Sequence, residues 1–387
     1  VRRGRLQYLE GLRGLAAMQV VALHFVTAFM PETAEHASPP LRLLFDGHTA
    51  VYVFFLISGA VLTPSLARPG NGVDKIVKRA VRLGLPVAAA AVTAFGLLSL
   101  LPSAHVRAAA VSGSTWLATD SSGAITLAHL VREIGLDSLL LGYRESTLFV
   151  PIADNLPLME TSLDTPFWSL HVELYGSLLI LFIVTLRARA VWLHRVAVAA
   201  SALAFGTHPM FLFVLGHLAA PLLARRPGPR AQAAGAALLL LGCAFCATKN
   251  WRCVEILRLA ISRTELAFAP NLFQFQSQIG AMCLFFGVVL GTFAWPVLES
   301  APCRFLGRLS FAVYLLHFPI LFTIVCVAFL AISGGLPYAL VVSVSFVIFI
   351  ALVIPAAIAF ERWVDQPSVA LSRRIGFFGT RSRAAIP

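Results

Sequence analysis

The sequence predicts an all-α polytopic membrane protein of about ten transmembrane helices. Hydrophobic residues make up 58% of the 387 positions and charged residues only 12%, where ordinary globular chains carry about 25% charged residues. Apolar stretches of about twenty residues recur from end to end, each long enough to cross roughly 30 Å of hydrocarbon. None shows the two-residue alternation of a barrel strand, so a backbone that must satisfy itself inside lipid does so as helices. No repeat, low-complexity tract or second soluble domain is evident, and 1–387 reads as one integral-membrane domain.

Expected helices cover 9–30, 47–66, 80–101, 167–186, 191–206, 208–224, 231–248, 275–295, 305–331 and 338–361. The first is too long for a signal-peptide core and lacks a small-residue cleavage site, so it reads as a retained helix. Ile125 to Tyr143 mixes apolar residues with Arg132, Glu133 and Asp137 and reads as interfacial or re-entrant. The six cysteines lie mostly in or beside apolar runs. Cys243 and Cys246 form a C-x-x-C inside an expected membrane helix, where no metal or redox role is expected.

A formal charge of +12 raises the question of nucleic acid, but the basic residues form no single patch and no such partner is expected. They occupy the loops between apolar runs, where they set topology. With alternating helices, 21 fall on the side of both termini, in 2–5, 68–82, 187–195, 225–230, 304–308 and 362–383. Eight fall on the other side: Arg42, Arg107, Arg132, Arg144, Lys249, Arg252, Arg258 and Arg263. The asymmetry predicts both termini, including a basic tail over 362–387, in the cytoplasm. Segment 102–166 is then extracytoplasmic, and a stretch of that length outside the bilayer suits an acceptor site or a lid.

Polar residues within apolar spans mark candidate chemistry. Helix 1 reads LEGLRGLAAMQVVALHF and carries Glu10, Arg13 and His24. Glu10 and Arg13 are three apart and can pair on one face; alternatively both sit at headgroup level, with Arg13 snorkelling. His24 follows Arg13 by eleven residues, about 16 Å of rise and close to three whole turns, so both can face one cavity. An imidazole titrates near neutrality and is a natural general base, although a buried histidine can equally be a hydrogen-bonded core group. DKIVKRAVRLGLP sets Arg79 and Arg82 three apart at the start of helix 3, where they serve topology or grip a phosphate. FWSLHVELY opens the helix at 167 with Trp168 as an interfacial anchor, Ser169 as a hydrogen-bonding group and Glu173 as an acid whose partner is Arg13 or a polar substrate. LGRLSFAVYLLHFPI places Tyr314 and His317 at i and i+3, pointing into one groove. His208 and His217 read as structural.

Taken together, LEGLRGLAA with His24, FFLISGAVL, RAVR, FWSLHVELY and LGRLSFAVYLLHFP resemble, in this order and from end to end, the acyltransferase family 3 membrane proteins. These acylate sugars on bacterial glycans and other small acceptors. The resemblance implies an O-acyltransferase of the bacterial inner membrane that uses acyl-CoA, commonly acetyl-CoA, as donor and a carbohydrate or glycan hydroxyl as acceptor. No permanently bound cofactor or metal is implied. It carries the Arg, ten residues, His pattern onto Arg13 and His24, and Arg-x-x-Arg onto Arg79 and Arg82. Trp168, Ser169, Glu173, Tyr314 and His317 fall in the family's polar set, with His24, Arg13 and Glu173 expected at the catalytic centre and Glu10 in support. The chain departs from the pattern at Glu10, where Asp is frequent, at His48, where Gly is usual, and at His171 and Leu174. His48 and His171 are expected to tune acceptor choice. A transporter or flippase for a lipid-linked sugar is the competing class; it calls for matched half-repeats, which the sequence does not show.

Overall fold

A computed structural model describes residues 6–248, 251–262 and 272–376, and among them the chain is helical with no strand. Ten helices answer to the expected ten: α1 Gln7–Phe29, α2 Gly47–Leu66, α3 Gly72–Leu100, α4 Trp168–Arg189, α5 Val191–Phe205, α6 Met210–Ala219, α7 Pro229–Ala247, α8 Leu272–Leu290, α9 Ala301–Ile320 and α10 Tyr338–Phe360. Seven are long and apolar enough to cross a membrane, and α8 makes an eighth only with Thr292–Leu298, from which it is bent by 83°. Among the described residues the expected count of about ten spans is not reached. Helices α5 and α6 have 15 and 10 residues, about 22 and 15 Å at 1.5 Å per residue, short of the hydrocarbon thickness. Pro209 and Pro221 flank α6 and interrupt apolar runs that composition alone reads as continuous. The chain is a multi-pass membrane protein.

Local signals set the helix starts that matter to the site. Asp46 caps α2, its two carboxylate oxygens accepting from the Thr49 amide at 3.2 Å and the Thr49 hydroxyl at 2.6 Å. Asn71 caps α3 by accepting from the Val73 amide at 2.8 Å. Helix α9 passes through a π-helical turn, Leu321–Val325, into Cys326–Ser333. The wide turn follows Pro319, which has no amide to donate to the preceding turn.

Two glycine contacts hold the inner bundle. Where α1 crosses α9, a Cβ on Gly14 would lie 2.5 Å from the Gly307 nitrogen, and one on Gly307 would lie 2.1 Å from the Glu10 carbonyl. Where α2 crosses α6, Gly59 and Gly216 lie so close to the partner backbone that a Cβ on either would come within 2.2 Å of a carbonyl oxygen. Small residues let helices approach when lipid supplies no hydrophobic drive between them. The glycines of LEGLRG and LGRLS are therefore two halves of one crossing.

Segment 102–166 is ordered rather than an open loop. Residues 125–143 form Leu127–Arg132 and a π-helical stretch, Glu133–Leu141. Its polarity is the reverse of a water-soluble helix: Glu133 and Asp137 are buried while Leu127, Val131, Leu136 and Leu140 are exposed. Tyr143 donates to Glu133 and Arg132 to Asp137, so the acids are answered from within the segment. An apolar outer face over a paired polar inner face suits an element packed against lipid. Of the basic residues counted for orientation, Arg2, Arg3, Arg5, Lys249, Arg263, Arg381 and Arg383 lie outside the described residues. The expected tail is described as far as residue 376, through Glu361–Asp365 and Gln366–Arg374.

Candidate active site

The α1–α9 crossing brings polar positions of five helices, α1 to α4 and α9, around one cavity of about 730 Å³. Helix α1 contributes Glu10 and Arg13, α3 Arg79 and Arg82, α4 Ser169 and Glu173, and α9 Arg304, Arg308 and Tyr314; Asp365 closes one side. Five arginines thus face three carboxylates, an excess of positive charge suited to an anionic ligand.

Helix spacing alone does not give the pairing. Glu173 is joined to Arg79, whose Nη2 donates to its Oε1. The Ser58 hydroxyl donates to the same oxygen at 3.0 Å, and Arg79 Nε donates to the Ser177 hydroxyl at 2.7 Å. Arg13 is therefore not the partner of Glu173, and the Glu10–Arg13 pairing that their spacing allows is not made: both line the cavity without an ion pair among the described residues. The Arg13 guanidinium instead sits over the Phe54 ring, 6.0 Å from its centroid. Arg82 is exposed and also lacks an ion pair among the described residues, so the Arg79–Arg82 motif splits into one anchored and one available cation.

Tyr314 forms the part of the cavity wall, here called the floor, that packs against His317. Its hydroxyl donates to the Pro166 carbonyl at 2.9 Å and meets the Ser169 hydroxyl at 2.7 Å, latching α9 to the start of α4. Phe54 packs edge-on against the Tyr314 ring at 6.2 Å. Trp168 packs on Phe55, edge to face at 6.3 Å, and does not line the cavity.

His24 does not line the cavity either, contrary to the shared face that its spacing from Arg13 suggests. The floor intervenes. Beyond it, the Tyr314 ring lies 6.0 Å from His317, and His317 Nε2 lies 2.8 Å from His24 Nδ1, with the two imidazoles within 6° of parallel. The other His317 nitrogen, Nδ1, is 2.9 Å from the Val313 carbonyl. Trp116, from the segment between α3 and α4, stacks on His24 at 5.3 Å, and Phe318 meets it edge-on at 5.8 Å. Ser114 ties that segment to α1 by donating to the Thr27 carbonyl at 2.7 Å.

Several of these residues escape a reading by pattern. Ser58 is a polar residue within FFLISGAVL and could have been flagged on that ground. Trp116 sits 92 positions from His24 in a segment with no periodic signal, and Arg304 and Arg308 are indistinguishable from topology-setting charge until the cavity gathers them. His171 is held on both sides: the Leu148 amide donates to its Nε2 at 3.1 Å, and its Nδ1 donates to the Leu139 carbonyl at 3.2 Å. Among the described residues no group of three or more His, Cys, Asp or Glu is arranged to hold a metal ion.

A family model described as an acyltransferase domain matches residues 6–361, which include every residue named in this site except Asp365. The chain belongs to acyltransferase family 3. Neither the curated proteins nor the solved structures contain a match. Membership of a membrane acyltransferase family implies an acyl donor and an acceptor, meeting at a bilayer. The residues that carry the family resemblance divide into two physical groups. Arg13, Arg79, Arg82 and Glu173 surround a charged cavity, while His24 and His317 occupy an aromatic nest behind its floor.

Proposed function

We propose that this family 3 protein is an O-acyltransferase that moves an acyl group, in the first instance acetyl, from acyl-CoA to a hydroxyl of a carbohydrate or glycan acceptor. In this reading it sits in the bacterial inner membrane with both termini in the cytoplasm, as the 21 to 8 distribution of basic residues favours. The donor enters from the cytoplasm. Its phosphates meet Arg79 and Arg82, two to three turns into α3, joined by Arg304 and Arg308 of α9, because guanidinium groups suit phosphate oxygens. Glu173 serves by holding Arg79 in place.

Arg13 steadies the donor's arm part-way down. It lies about 16 Å along the helix axis from His24, more than an arginine side chain reaches, so it does not contact the reacting carbonyl. The thioester carbonyl reaches the floor, and the acceptor hydroxyl arrives from the outer side, past Trp116. His24 takes the hydroxyl proton as the oxygen bonds to the carbonyl carbon. On collapse the carbon–sulfur bond breaks, and the proton passes from His24 to the departing sulfur. General base catalysis of this kind contributes about 10² to 10⁴ in rate. Tyr314, adjacent to His317, is the hydroxyl placed to donate to the oxyanion once it leaves Pro166.

The observation that carries this reading is one cavity with five arginines at its walls and the Tyr314–His317–His24 series at its floor. The test supplies protein purified in detergent with radiolabelled acetyl-CoA and a panel of glycans. Label is expected in glycan with the parent and at background with His24→Ala and Arg13→Ala. Equal transfer by both variants would refute the assignment.

A further inference from the structure

We infer that His317 is a positioning residue that fixes the tautomer of His24, so that His24 Nε2 is the nitrogen that receives the acceptor's proton. The inference rests on the transfer reading above for the proton's source, but the tautomer itself follows from two hydrogen bonds. A backbone carbonyl only accepts, so the 2.9 Å contact between His317 Nδ1 and the Val313 oxygen places a hydrogen on Nδ1. A neutral imidazole carries one such hydrogen, which leaves His317 Nε2 as a lone pair. The 2.8 Å contact to His24 is then His24 Nδ1–H donating to His317 Nε2. His24 Nε2 is left unprotonated, and it makes no hydrogen bond to the described residues.

The neutral form of the pair follows from its surroundings. No carboxylate forms an ion pair with either ring among the described residues, so a cation there would have no counter-charge. The titratable groups that face His24 are His317 on α9 and His48 at the start of α2. Trp116 stacked at 5.3 Å and Phe318 edge-on at 5.8 Å hold the ring plane, so a ring flip that would exchange the two nitrogens is hindered. As in other sites where one ring nitrogen is fixed by a hydrogen bond, the second nitrogen becomes the working one. During transfer the hydroxyl proton moves to His24 Nε2 while Nδ1 keeps its own proton. The His317 lone pair then stabilises the imidazolium until Nε2 releases its proton to the sulfur leaving the carbonyl carbon. No further reactant is needed.

The test compares His317→Gln, which can offer an oxygen near the position of Nε2, with His317→Leu, which offers none. Parent and variants are labelled with ¹⁵N-histidine in lipid nanodiscs, and the His24 signals are identified by their loss in His24→Ala. A protonated Nδ1 and an unprotonated Nε2 are expected in the parent and in His317→Gln, and a shift toward protonated Nε2 in His317→Leu. With labelled acetyl-CoA, kcat of His317→Leu is expected to fall about 10- to 100-fold, the usual scale for losing the partner that orients a working histidine. Its KM for the donor should stay within about twofold of the parent's, and His317→Gln should recover most of kcat. A parent in which His24 carries its proton on Nε2 at neutral pH, or equal losses of kcat in both variants, would overturn the inference. The nitrogen assignment is read with or without turnover, so a protein that transfers no label refutes the proposed reaction and leaves the tautomer standing.

Discussion

Among the described residues, two hydrogen-bonded histidine pairs can be compared, and the first packs against Tyr314 of the cavity wall. In the first, His24 and His317 join α1 to α9 across 2.8 Å and end on the Val313 carbonyl. In the second, His194 Nε2 and His217 Nε2 join α5 to α6 across 2.9 Å. That series runs on from His217 to the Thr63 hydroxyl and ends on the Gly59 carbonyl. Both give imidazoles on neighbouring helices a hydrogen-bond partner within the bundle. What differs is the neighbourhood. The first pair abuts Tyr314 and is covered by Trp116, whereas the second belongs to two short helices, one of which exposes Val191, Trp192, Val196 and Leu203 on its outer side. Hydrogen-bonding a histidine pair is a packing solution; chemistry begins only where substrate can reach it.

The most direct way to break the comparison is to remove one histidine from each pair. His24→Ala should lower turnover by about 10² to 10⁴. His217→Ala should leave turnover within about threefold while lowering the unfolding temperature in detergent, as the loss of a buried hydrogen-bonded group costs about 1–3 kcal/mol. Labelled-donor turnover and thermal unfolding on both variants decide it. A turnover loss as deep in His217→Ala as in His24→Ala would erase the distinction.

Sequence reveals this division unevenly. Helix 1, Arg13, His24, Tyr314 and His317 stand out because polar residues are conspicuous in apolar spans, and fold class follows from composition. The partners do not. Glu173 can be recognised as needing a cation, but the choice of Arg79 over Arg13 depends on how α3 and α4 pack. His24 and Arg13 share a helical face, yet Tyr314 and its latch to Pro166 come from other elements and divide that face in two. Trp116 and the short α5 and α6 elude pattern for a related reason. Stacking across 92 residues has no local signature, and apolar composition does not reveal where Pro209 and Pro221 end a helix.

On the charged side of the floor, the expected effects fall on donor binding rather than on chemistry. Arg82→Ala should raise KM for acetyl-CoA about tenfold, the equivalent of about 1.4 kcal/mol, with kcat nearly unchanged. Arg304→Ala and Arg308→Ala should each act in the same direction and less strongly, because Arg304 already donates to Gln7 at 3.2 Å and Arg308 lies 3.9 Å from Glu361. The salt dependence of KM checks the electrostatic origin: it should be shallower in each variant than in the parent. A fall in kcat with KM unchanged would move these residues out of the donor site.

The latch tests whether the floor is part of the reaction. Tyr314→Phe keeps the ring between Phe54 and His317 but removes the hydroxyl shared by Pro166 and Ser169. If that hydroxyl steadies the oxyanion, kcat should drop roughly tenfold or more while KM for the donor changes little, in contrast to the arginine variants. Ser169→Ala leaves the tyrosine hydroxyl and its Pro166 bond in place and should reduce kcat by less. Single-turnover measurements on the two variants separate chemistry from donor binding.

The smallest effect is expected from segment 102–166, which covers the first pair through Trp116. Asp120, one turn beyond Trp116, is buried, and loss of hydration pushes its carboxyl up to about 7. Thr165 and Trp116 oppose that shift and Glu160 adds to it. A carboxyl whose folded-state value lies above its ordinary value near 3.8 binds more protons folded than unfolded between the two. Stability associated with this segment is therefore fully present below about pH 4, declines as pH rises toward about 7, and levels off above it. Asp120→Asn should flatten that slope in thermal unfolding between pH 4 and 7. Because Asp120 and Trp116 share a short helical turn, the fluorescence of Trp116 should follow the same transition in the parent and lose it in the variant, while replacement of His194 or His217 leaves it unchanged. A slope that survives Asp120→Asn would place the titration elsewhere and detach the cover of His24 from pH.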